Sequence, residues 1–254
     1  MPLRNILFRI YLRCKALIVP QLKYSQYLYE DLIKIYINPE VVWLDLGCGH
    51  RLLPPWRFEE EQILTQNCKM VIGLDCEFDA LRTHKTFRYR VRGNACLLPF
   101  KENFFDIATA NMVVEHLDNP EVVFQEIARI LKPNGIFIFH TPNAFAYSTI
   151  LSRIIPNKLK NKIIHILEGR KEEDIFQTYY KANSHFRIKK LAQLTSFKVR
   201  KIKMISSEAS FVNITPLAIF ELIFIKITLT KPFKIFRTNI IAILQKSLLI
   251  RKPL

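Results

Sequence analysis

One stretch near the start of the chain, Val41 to Gly49 (VVWLDLGCG), limits the possible folds more than any other. Its first six residues include five apolar ones, it opens with two β-branched residues, and it closes with two glycines around Cys48. This pattern predicts a buried strand that runs into a tight loop. Glycines let a loop approach a ligand closely, and Asp45 offers a hydrogen-bond acceptor beside it. The stretch therefore predicts a small-molecule crevice, with an ordinary strand-to-turn junction as the alternative.

A second predicted strand, Lys69 to Asp75, also ends in a carboxylate, thirty residues after Asp45. In nucleoside-binding α/β domains, an acidic residue at the end of the second strand accepts hydrogen bonds from the two ribose hydroxyls. The loop after the first strand lacks the third glycine of the dinucleotide pattern, which argues against a nicotinamide cofactor.

Helical and strand patterns alternate along the first part of the chain. Helices are predicted at 3–19, at 24–36, after Pro54-Pro55, at 77–85 and at 121–131, and strands at 89–93, 105–110 and, after a proline and glycine stop at 132–135, at 136–140. Such alternation predicts a parallel sheet covered by helices on both faces. The first of these helices is basic and amphipathic, and it could cap the ligand site, lie in a membrane interface, or pack onto its own domain.

The positive charge of the chain is concentrated in its second part. The formal net charge is +16, and residues 151–254 hold 21 Lys and Arg against 6 Asp and Glu, whereas residues 1–150 hold 17 against 16. Such a surplus indicates an anionic partner, which could be nucleic acid, acidic lipid headgroups, or phosphorylated or acidic glycans. The densest cluster consists of Arg187, Lys189, Lys190, Lys198, Arg200, Lys201 and Lys203.

The sequence gives no indication of a metal site, a disulfide framework, a secretion signal or a membrane span. Its five cysteines are scattered, so reduced thiols in the cytoplasm are expected. The amino terminus is interrupted by arginines and has no cleavage site of the signal-peptide type. The longest apolar stretch, 216–229, contains Glu221 and Lys226 and is shorter than the roughly 20 residues that a membrane span needs.

Four motifs then occur in a specific order: VVWLDLGCGH at 41–50, VIGLD at 71–75, GNACLLPFKENFFDIATANMVVEHL at 93–117, and EIARILKPNGIFIFHTPN at 126–143. With these motifs, the first 145 residues resemble a class I S-adenosylmethionine-dependent methyltransferase. The resemblance is strongest to the small-molecule, methyltransferase type 11-like branch with its LPF, EHL and LKPGG signatures, in which Asn134 here replaces a glycine.

The resemblance implies an α/β, Rossmann-like fold with a seven-stranded, mostly parallel sheet whose last strand is antiparallel, plus N-terminal helices and helical insertions. Residues 1–40 would form an N-terminal helical cap and 41–145 the cofactor-binding core. Residues 146–254 would supply, within the same domain, the acceptor-pocket insertion, the last sheet strands and basic, apolar helices. The strands would lie at 198–205 and 239–245 and the helices at 188–195 and 216–229.

The resemblance also implies S-adenosylmethionine as the cofactor and assigns residues to its parts. The loop residues Asp45, Gly47 and Gly49 would frame the methionine end, Asp75 would hold the ribose, and Asn94 and Ala95 would contact the adenine. The full set of expected cofactor-binding residues is Asp45, Gly47, Cys48, Gly49, Asp75, Cys76, Asn94, Ala95 and Asn111. Many relatives carry aspartate at the position of Asn94, whose side-chain oxygen can still accept a hydrogen bond.

Methyl transfer from a sulfonium is an in-line displacement, so the protein must align the acceptor and, for a hydroxyl or carbon nucleophile, remove a proton. No metal is required. The candidate catalytic bases are His116, His140 and His185, with Tyr179 in the same variable region. The alternative for His116 and His140 is a packing residue with satisfied nitrogens, and the alternative for His185 is a surface loop residue.

Three classes of function remain at this point. The favoured class is an enzyme that methylates a small molecule, a sugar or a lipid-linked acceptor, with an anionic membrane surface as a candidate partner and peripheral attachment at its inner face. The second is a nucleic-acid (RNA) methyltransferase, which the charge suits. It is disfavoured because residues 111–114 (NMVV) replace the Asp/Asn-Pro-Pro-aromatic motif of base-amino methyltransferases. The third is a non-catalytic protein that binds S-adenosylmethionine, since a fold alone does not fix an activity.

Overall fold

A computed structural model of the protein describes residues 2–154, 176–212 and 214–247. The strands are β1 (Val42–Leu46), β2 (Met70–Asp75), β3 (Tyr89–Arg92), β4 (Phe105–Asn111), β5 (Leu131–Pro142), β6 (Phe197–Ile205) and β7 (Asn239–Lys246). The helices are α1 (Pro2–Ile18), α2 (Ser25–Lys34), α3 (Phe58–Gln66), α4 (Phe78–Thr83), α5 (Pro120–Ile130), α6 (Tyr147–Ile154), α7 (His185–Leu194) and α8 (Thr215–Thr228). Most of the helices and strands predicted from the sequence are confirmed to within about three residues at each end.

The described strands form one seven-stranded sheet in the order β3-β2-β1-β4-β5-β7-β6. The central strand β1 pairs in parallel with β2 and β4, and β3 and β5 continue the sheet in parallel on either side. The predicted mixed sheet with an antiparallel last strand is confirmed, since β7 enters between β5 and β6 and runs antiparallel. Because parallel strands end at one edge of a sheet, the ends of β1, β2 and β4 bring their polar residues to the same edge.

The start of β5 differs from the sequence prediction. A proline and glycine stop was expected at 132–135, but β5 begins at Leu131, which pairs with Phe105 before the register shifts. The irregular register allows the chain to bend within the strand. Asn134 adopts a φ of +65°, in the left-handed region that asparagine tolerates better than most residues. The replacement of the usual glycine by asparagine is therefore compatible with the local backbone.

The chain consists of two compact units. The sheet unit comprises Tyr29–Thr141, Thr178–Lys203 and Ile241–Leu254, and the helical unit comprises Met1–Leu28, Pro142–Gln177 and Met204–Ile240, as far as these ranges are described. The predicted boundaries at residues 40 and 145 stay a prediction. Residues 155–175 of the expected acceptor segment lie outside the described residues.

The core of the sheet unit contains a cluster of aromatic rings. Phe124 of α5 lies edge-on to Phe137 and Phe139 of β5, with ring centroids 5.4 and 5.6 Å apart. Edge-to-face pairs at this separation stabilise a core beyond the effect of burial alone. All three side chains are fully buried. This packing fixes β5 against its covering helix.

In the helical unit, α1 packs against α8. The shared apolar cluster consists of Tyr11, Val19, Leu22, Ala209, Ala218, Leu222 and Ile225. Glu221 of α8 is also buried, and it accepts hydrogen bonds from the Tyr147 hydroxyl and from the backbone N–H groups of Ser210 and Phe211. A buried carboxylate needs such donors. The glutamate that interrupts the apolar sequence of α8 therefore points inward.

Within the described ranges, no helix has both the length and the apolar character required to cross a membrane.

Candidate functional site

The loop after β1 makes a close turn at Gly47. This residue has a φ of +67°, and an added Cβ atom would lie 2.4 Å from Cγ2 of Val113. Its N–H donates a hydrogen bond of 2.7 Å to the carbonyl of Leu74 at the end of β2. Any side chain here would collide with the segment after β4. Gly47 is thus required by the protein's own packing.

Gly49 is required for a different reason. It has a φ of +53°, yet an added Cβ atom would meet no atom of the described residues within 4 Å. Its N–H donates a hydrogen bond of 2.8 Å to Oδ2 of Asp75. The backbone at Gly49 therefore lies beside open space, at the edge of the sheet where ligands of such folds bind.

Asp75 is positioned at the end of β2 with acceptor capacity to spare. Its side chain is largely buried, and Oδ1 accepts a hydrogen bond of 2.9 Å from the N–H of Glu77. The N–H of Gly49 occupies one acceptor position on Oδ2. Because a carboxylate offers about four acceptor positions, each oxygen retains one for a ribose hydroxyl. The residues present fit the nucleoside part of S-adenosylmethionine.

Asp45 is a buried carboxylate near the end of β1. Its Oδ1 accepts a hydrogen bond of 2.6 Å from the Thr109 hydroxyl, which in turn accepts one of 2.6 Å from the Trp43 indole N–H. Burial raises the pKa of Asp45 to about 7, the hydrogen bond from Thr109 opposes the rise, and the negative charges of Glu61 and Asp75 add to it. A cationic ligand nearby would favour the ionised form.

The other predicted cofactor residues occupy varied environments. Cys48 is buried, and its sulfur lies 2.8 Å from the place where a Cβ on Gly73 would stand, whereas Cys76 is exposed. Asn94 is exposed after β3, and its Oδ1 accepts a hydrogen bond of 2.8 Å from the Cys96 N–H. Its neighbour, Ala95, is half-buried. The predicted contact between Asn94 and adenine would therefore use the second acceptor position of that oxygen.

Asn111 and His140 form a pair at the ends of β4 and β5. Nδ1 of His140 lies 2.9 Å from Oδ1 of Asn111, and the imidazole stacks on the ring of Tyr29 at a centroid distance of 5.6 Å. His140 is only 1% exposed, and burial lowers its pKa to about 3. Nε2 of His140 is buried and has no hydrogen-bond partner among the described residues, so only one of the two ring nitrogens is satisfied. The catalytic role of His140 stays a prediction.

The other two histidines lie closer to solvent. Nε2 of His116 is 3.9 Å from Oε1 of Glu115. His185 is the first residue of α7, half-buried, with its ring edge-on to that of Phe186 at 6.0 Å. Tyr179 is 36% exposed beneath the ammonium group of Lys181. Their roles as bases stay predictions.

The sequence reasoning missed a buried polar cluster formed by Glu115, Thr141 and Asn183. The Thr141 hydroxyl donates a hydrogen bond of 2.8 Å to Oε2 of Glu115 and accepts one of 2.6 Å from the Asn183 amide. The Glu115 carbonyl accepts hydrogen bonds from the N–H groups of Tyr179 and Tyr180. This cluster fastens the segment before α7 to the loop after β4. Glu115 belongs to the EHL motif, which is the sequence signal for this cluster.

Comparisons with known proteins show what this chain is similar to. A family model described as a methyltransferase domain matches residues 44–139. An uncharacterised protein of Methanocaldococcus jannaschii is 28% identical over 149 residues, which cover 59% of this chain and 55% of the relative. A malonyl-[acyl-carrier protein] O-methyltransferase of Legionella pneumophila is 31% identical over 126 residues, which cover 46% of this chain and 42% of the relative. The chain thus spans about half the length of these curated relatives.

A solved structure shares the fold. An S-adenosylmethionine-dependent methyltransferase from Mesorhizobium loti superposes with a TM-score of 0.54 at 14% identity, covering 85% of this chain and 96% of its own. At this identity the superposition shows a shared fold, and residues 44–139 match the methyltransferase-domain family.

Proposed function

We propose that this protein transfers a methyl group from S-adenosylmethionine to a small molecule, a sugar or a lipid-linked acceptor, and that it does so at an anionic membrane surface. The observation that carries the proposal is the open space at Gly49, whose N–H is bound to a carboxylate that keeps two acceptor positions for a ribose. The match of residues 44–139 to a methyltransferase domain supports the same cofactor.

The residues of the site have separate roles in this proposal. Asp75 accepts hydrogen bonds from the ribose hydroxyls, and Asp45 supplies negative charge for the cationic methionine end. The bound cofactor contributes an electrophilic methyl group. The protein aligns the acceptor behind that methyl group and excludes water, which is the main requirement of an in-line displacement.

The segment before α7 is the proposed wall of the acceptor site. Tyr179 and Tyr180 bind through their N–H groups to Glu115, and Tyr180 holds a φ of +53°, which a tyrosine rarely adopts. A strained residue that is held by hydrogen bonds is typical of functional sites. We propose that the base that accepts the proton is one of three side chains, Glu115, His116 or His185.

A membrane surface is proposed because one segment of the chain carries many exposed basic residues and no acidic ones. Residues 178–203 contain eight Lys and Arg and no Asp or Glu. The basic cluster named above is exposed on α7 and on the edge strand β6. Basic residues also protect edge strands from aggregation. Their number favours an anionic surface as partner in addition to that protection.

Calorimetry with S-adenosylmethionine tests the first part of the proposal. Saturable binding is expected, and Asp75→Ala should weaken it by about tenfold or more, because hydrogen bonds to a charged group contribute about 1.5–3 kcal/mol. Asp79→Ala is the matched control, since this carboxylate lies on α4 with its side chain 82% exposed. Absence of saturable binding would refute the proposal.

Transfer of a radiolabelled methyl group tests the second part. The protein is incubated with the labelled cofactor and either a membrane extract or total RNA, and the label is followed into the organic phase, the small-molecule fraction or the RNA. Label in the organic or small-molecule fraction supports the proposal. Label in RNA alone would favour the nucleic-acid class, and cofactor binding without any transfer would favour a non-catalytic protein.

A further inference from the structure

We propose that the outer face of α8 inserts into the surface of an anionic lipid bilayer and holds the protein there. This inference rests on the proposed function, because it gives the proposed methyltransferase its place of action. Its basis is that α8 is apolar on two opposite faces. One face packs against other residues of the helical unit, and the other face is exposed.

The inner face of α8 is fully used by packing within the helical unit. Ala218, Leu222 and Ile225 have no exposed surface and belong to the cluster formed with α1. Glu221 points into the same unit and is satisfied by donors there. The acidic residue of α8, Glu221, therefore lies on its inner face and not on its outer face.

The outer face carries a continuous stripe of large apolar side chains. Phe220 is 72% exposed, and Leu217, Phe224 and Ile227 are each at least 40% exposed. Their spacing of three, four and three residues places them on one side of a helix. A helix that faces water carries polar residues on such a side, so an apolar stripe marks an interaction surface.

A neighbouring helix of the same unit extends this apolar surface. The ring of Tyr147, at the start of α6, lies edge-on to that of Phe224 with centroids 5.0 Å apart. From there α6 exposes Ile150, Leu151 and Ile154, the last at 72%. The exposed apolar surface therefore involves two helices of the helical unit.

Charge identifies the occupant as an anionic bilayer. The described residues of the helical unit contain ten Lys and Arg against two Asp and Glu, which are Glu208 and Glu221. Glu208 is paired with Lys15. Exposed basic residues lie near the end of the stripe at Lys226 and beyond it at Lys231 and Lys234. An apolar stripe bordered by lysines is the pattern of helices that lie in a membrane interface.

The length of α8 determines how it would meet the bilayer. Its 14 residues span about 21 Å at about 1.5 Å per residue. This is shorter than the roughly 30 Å hydrocarbon core of a bilayer. The helix would therefore lie parallel to the surface with Phe220 directed toward the acyl chains.

Vesicle flotation of the full chain tests the inference. Vesicles of phosphatidylcholine with added phosphatidylglycerol should bind the wild type more strongly than phosphatidylcholine alone, and salt should weaken the difference. The double variant L217S/F220S should lose about tenfold or more in partition coefficient. Ile63→Ser is the matched control, because this residue is 60% exposed on the acidic helix α3 and its replacement should leave partitioning unchanged.

Fluorescence quenching adds a direct readout of insertion. Brominated lipids should quench the added tryptophan of Phe220→Trp and leave that of Ile63→Trp unquenched, each compared with the wild-type signal. Equal partitioning of L217S/F220S and wild type, or equal quenching at both positions, would overturn the inference. So would light scattering that shows a wild-type dimer converted to a monomer by L217S/F220S, because a second copy would then cover the face.

Calorimetry on the same variants separates this inference from the proposed function. L217S/F220S should bind S-adenosylmethionine like the wild type and unfold at the same temperature, because both altered side chains are exposed. Loss of vesicle binding together with intact cofactor binding supports insertion. Failure of vesicle binding in the wild type overturns the inference and leaves the cofactor assignment in place.

Discussion

The backbone N–H of Gly49 donates a 2.8 Å hydrogen bond to Oδ2 of Asp75, which joins the loop after β1 to the end of β2. The two residues are 26 positions apart in sequence. This bond holds the loop next to the carboxylate that is proposed to bind the ribose. A ligand that contacts one of the two residues is therefore expected to contact the other.

Replacement of Gly49 by alanine separates folding from cofactor binding. The added Cβ atom meets no atom in the part of the chain that the structure describes, so the stability loss should be the cost of a left-handed alanine, about 1–2 kcal/mol. The same atom would occupy the space proposed for the cofactor, so calorimetry should show at least about a tenfold loss of affinity. Asn134→Ala is the control, because it also places alanine in the left-handed region but at the start of β5. Equal affinities of Gly49→Ala and wild type would contradict the assignment.

The affinity for S-adenosylmethionine should rise with pH around neutrality. Burial raises the pKa of Asp45 to about 7 in the free protein. A cationic ligand binds the ionised carboxylate better, so affinity should be low below that pKa and reach a plateau above it. Calorimetry from about one unit below to one unit above pH 7 measures the rise. Asp45→Asn should abolish the pH dependence, and a rise that persists in this variant would assign it to another group.

His140 should reduce stability in mild acid. Burial lowers its pKa to about 3, whereas an unfolded histidine has a pKa of about 6.5, so between these values the unfolded chain binds a proton that the folded chain does not. Stability from this group is therefore complete above about pH 6.5 and is lost as the pH falls, by up to about 1.4 kcal/mol per unit. Urea unfolding of His140→Gln should show a shallower decline than the wild type.

The comparison with His140→Gln is needed because other groups titrate in the same range. Burial lowers the pKa of His84 to about 4, which adds a change of the same sign, and the raised pKa of Asp45 acts in the opposite direction. His84 and Asp45 are present in both the wild type and His140→Gln. The difference between the two slopes of stability against pH therefore measures the contribution of His140. Identical slopes would mean that His140 is not neutral and buried in the folded protein.

The hydroxyl of Thr141 should be important for stability. It donates to Glu115 and accepts from Asn183, both of which are buried. Thr141→Val removes one hydrogen bond from each neighbour and should lower the free energy of unfolding by about 2 kcal/mol in urea titrations. Thr141→Ser keeps the hydroxyl and should recover most of the loss. If both variants are equally unstable, packing of the methyl group rather than hydrogen bonding is responsible.

The sequence was sufficient to predict most helices and strands before residue 142 and the turn at the glycines after β1, whereas α6 was not predicted. Their signals are local, since the apolar run at Val41 and the glycines at 47 and 49 lie within one element and its turn. The predicted start of β5 was wrong, because the pairing of Leu131 with Phe105 depends on a strand 26 residues away. Local turn residues could not reveal that pairing.

The two faces of α8 are a second feature that local sequence patterns could not predict. The composition of 216–229 identified an apolar helix but could not decide which side would be covered. The structure assigns Glu221 to the inner side because donors from Tyr147, Ser210 and Phe211 converge on it. The cluster at Glu115 was missed for a similar reason, since Thr141 and Asn183 approach it from distant parts of the chain.

The position of β7 affects when the protein can fold during its synthesis. This strand occupies the gap between β5 and β6, so β5 has only β4 as a neighbour and β6 has none until residues 239–246 have been made. Lys246 then donates a hydrogen bond of 2.7 Å to the carbonyl of Leu131, at the opposite end of β5 from its last residue. A nascent chain on the ribosome is thus left with two open sheet edges until this late strand emerges, and only then can the whole sheet close.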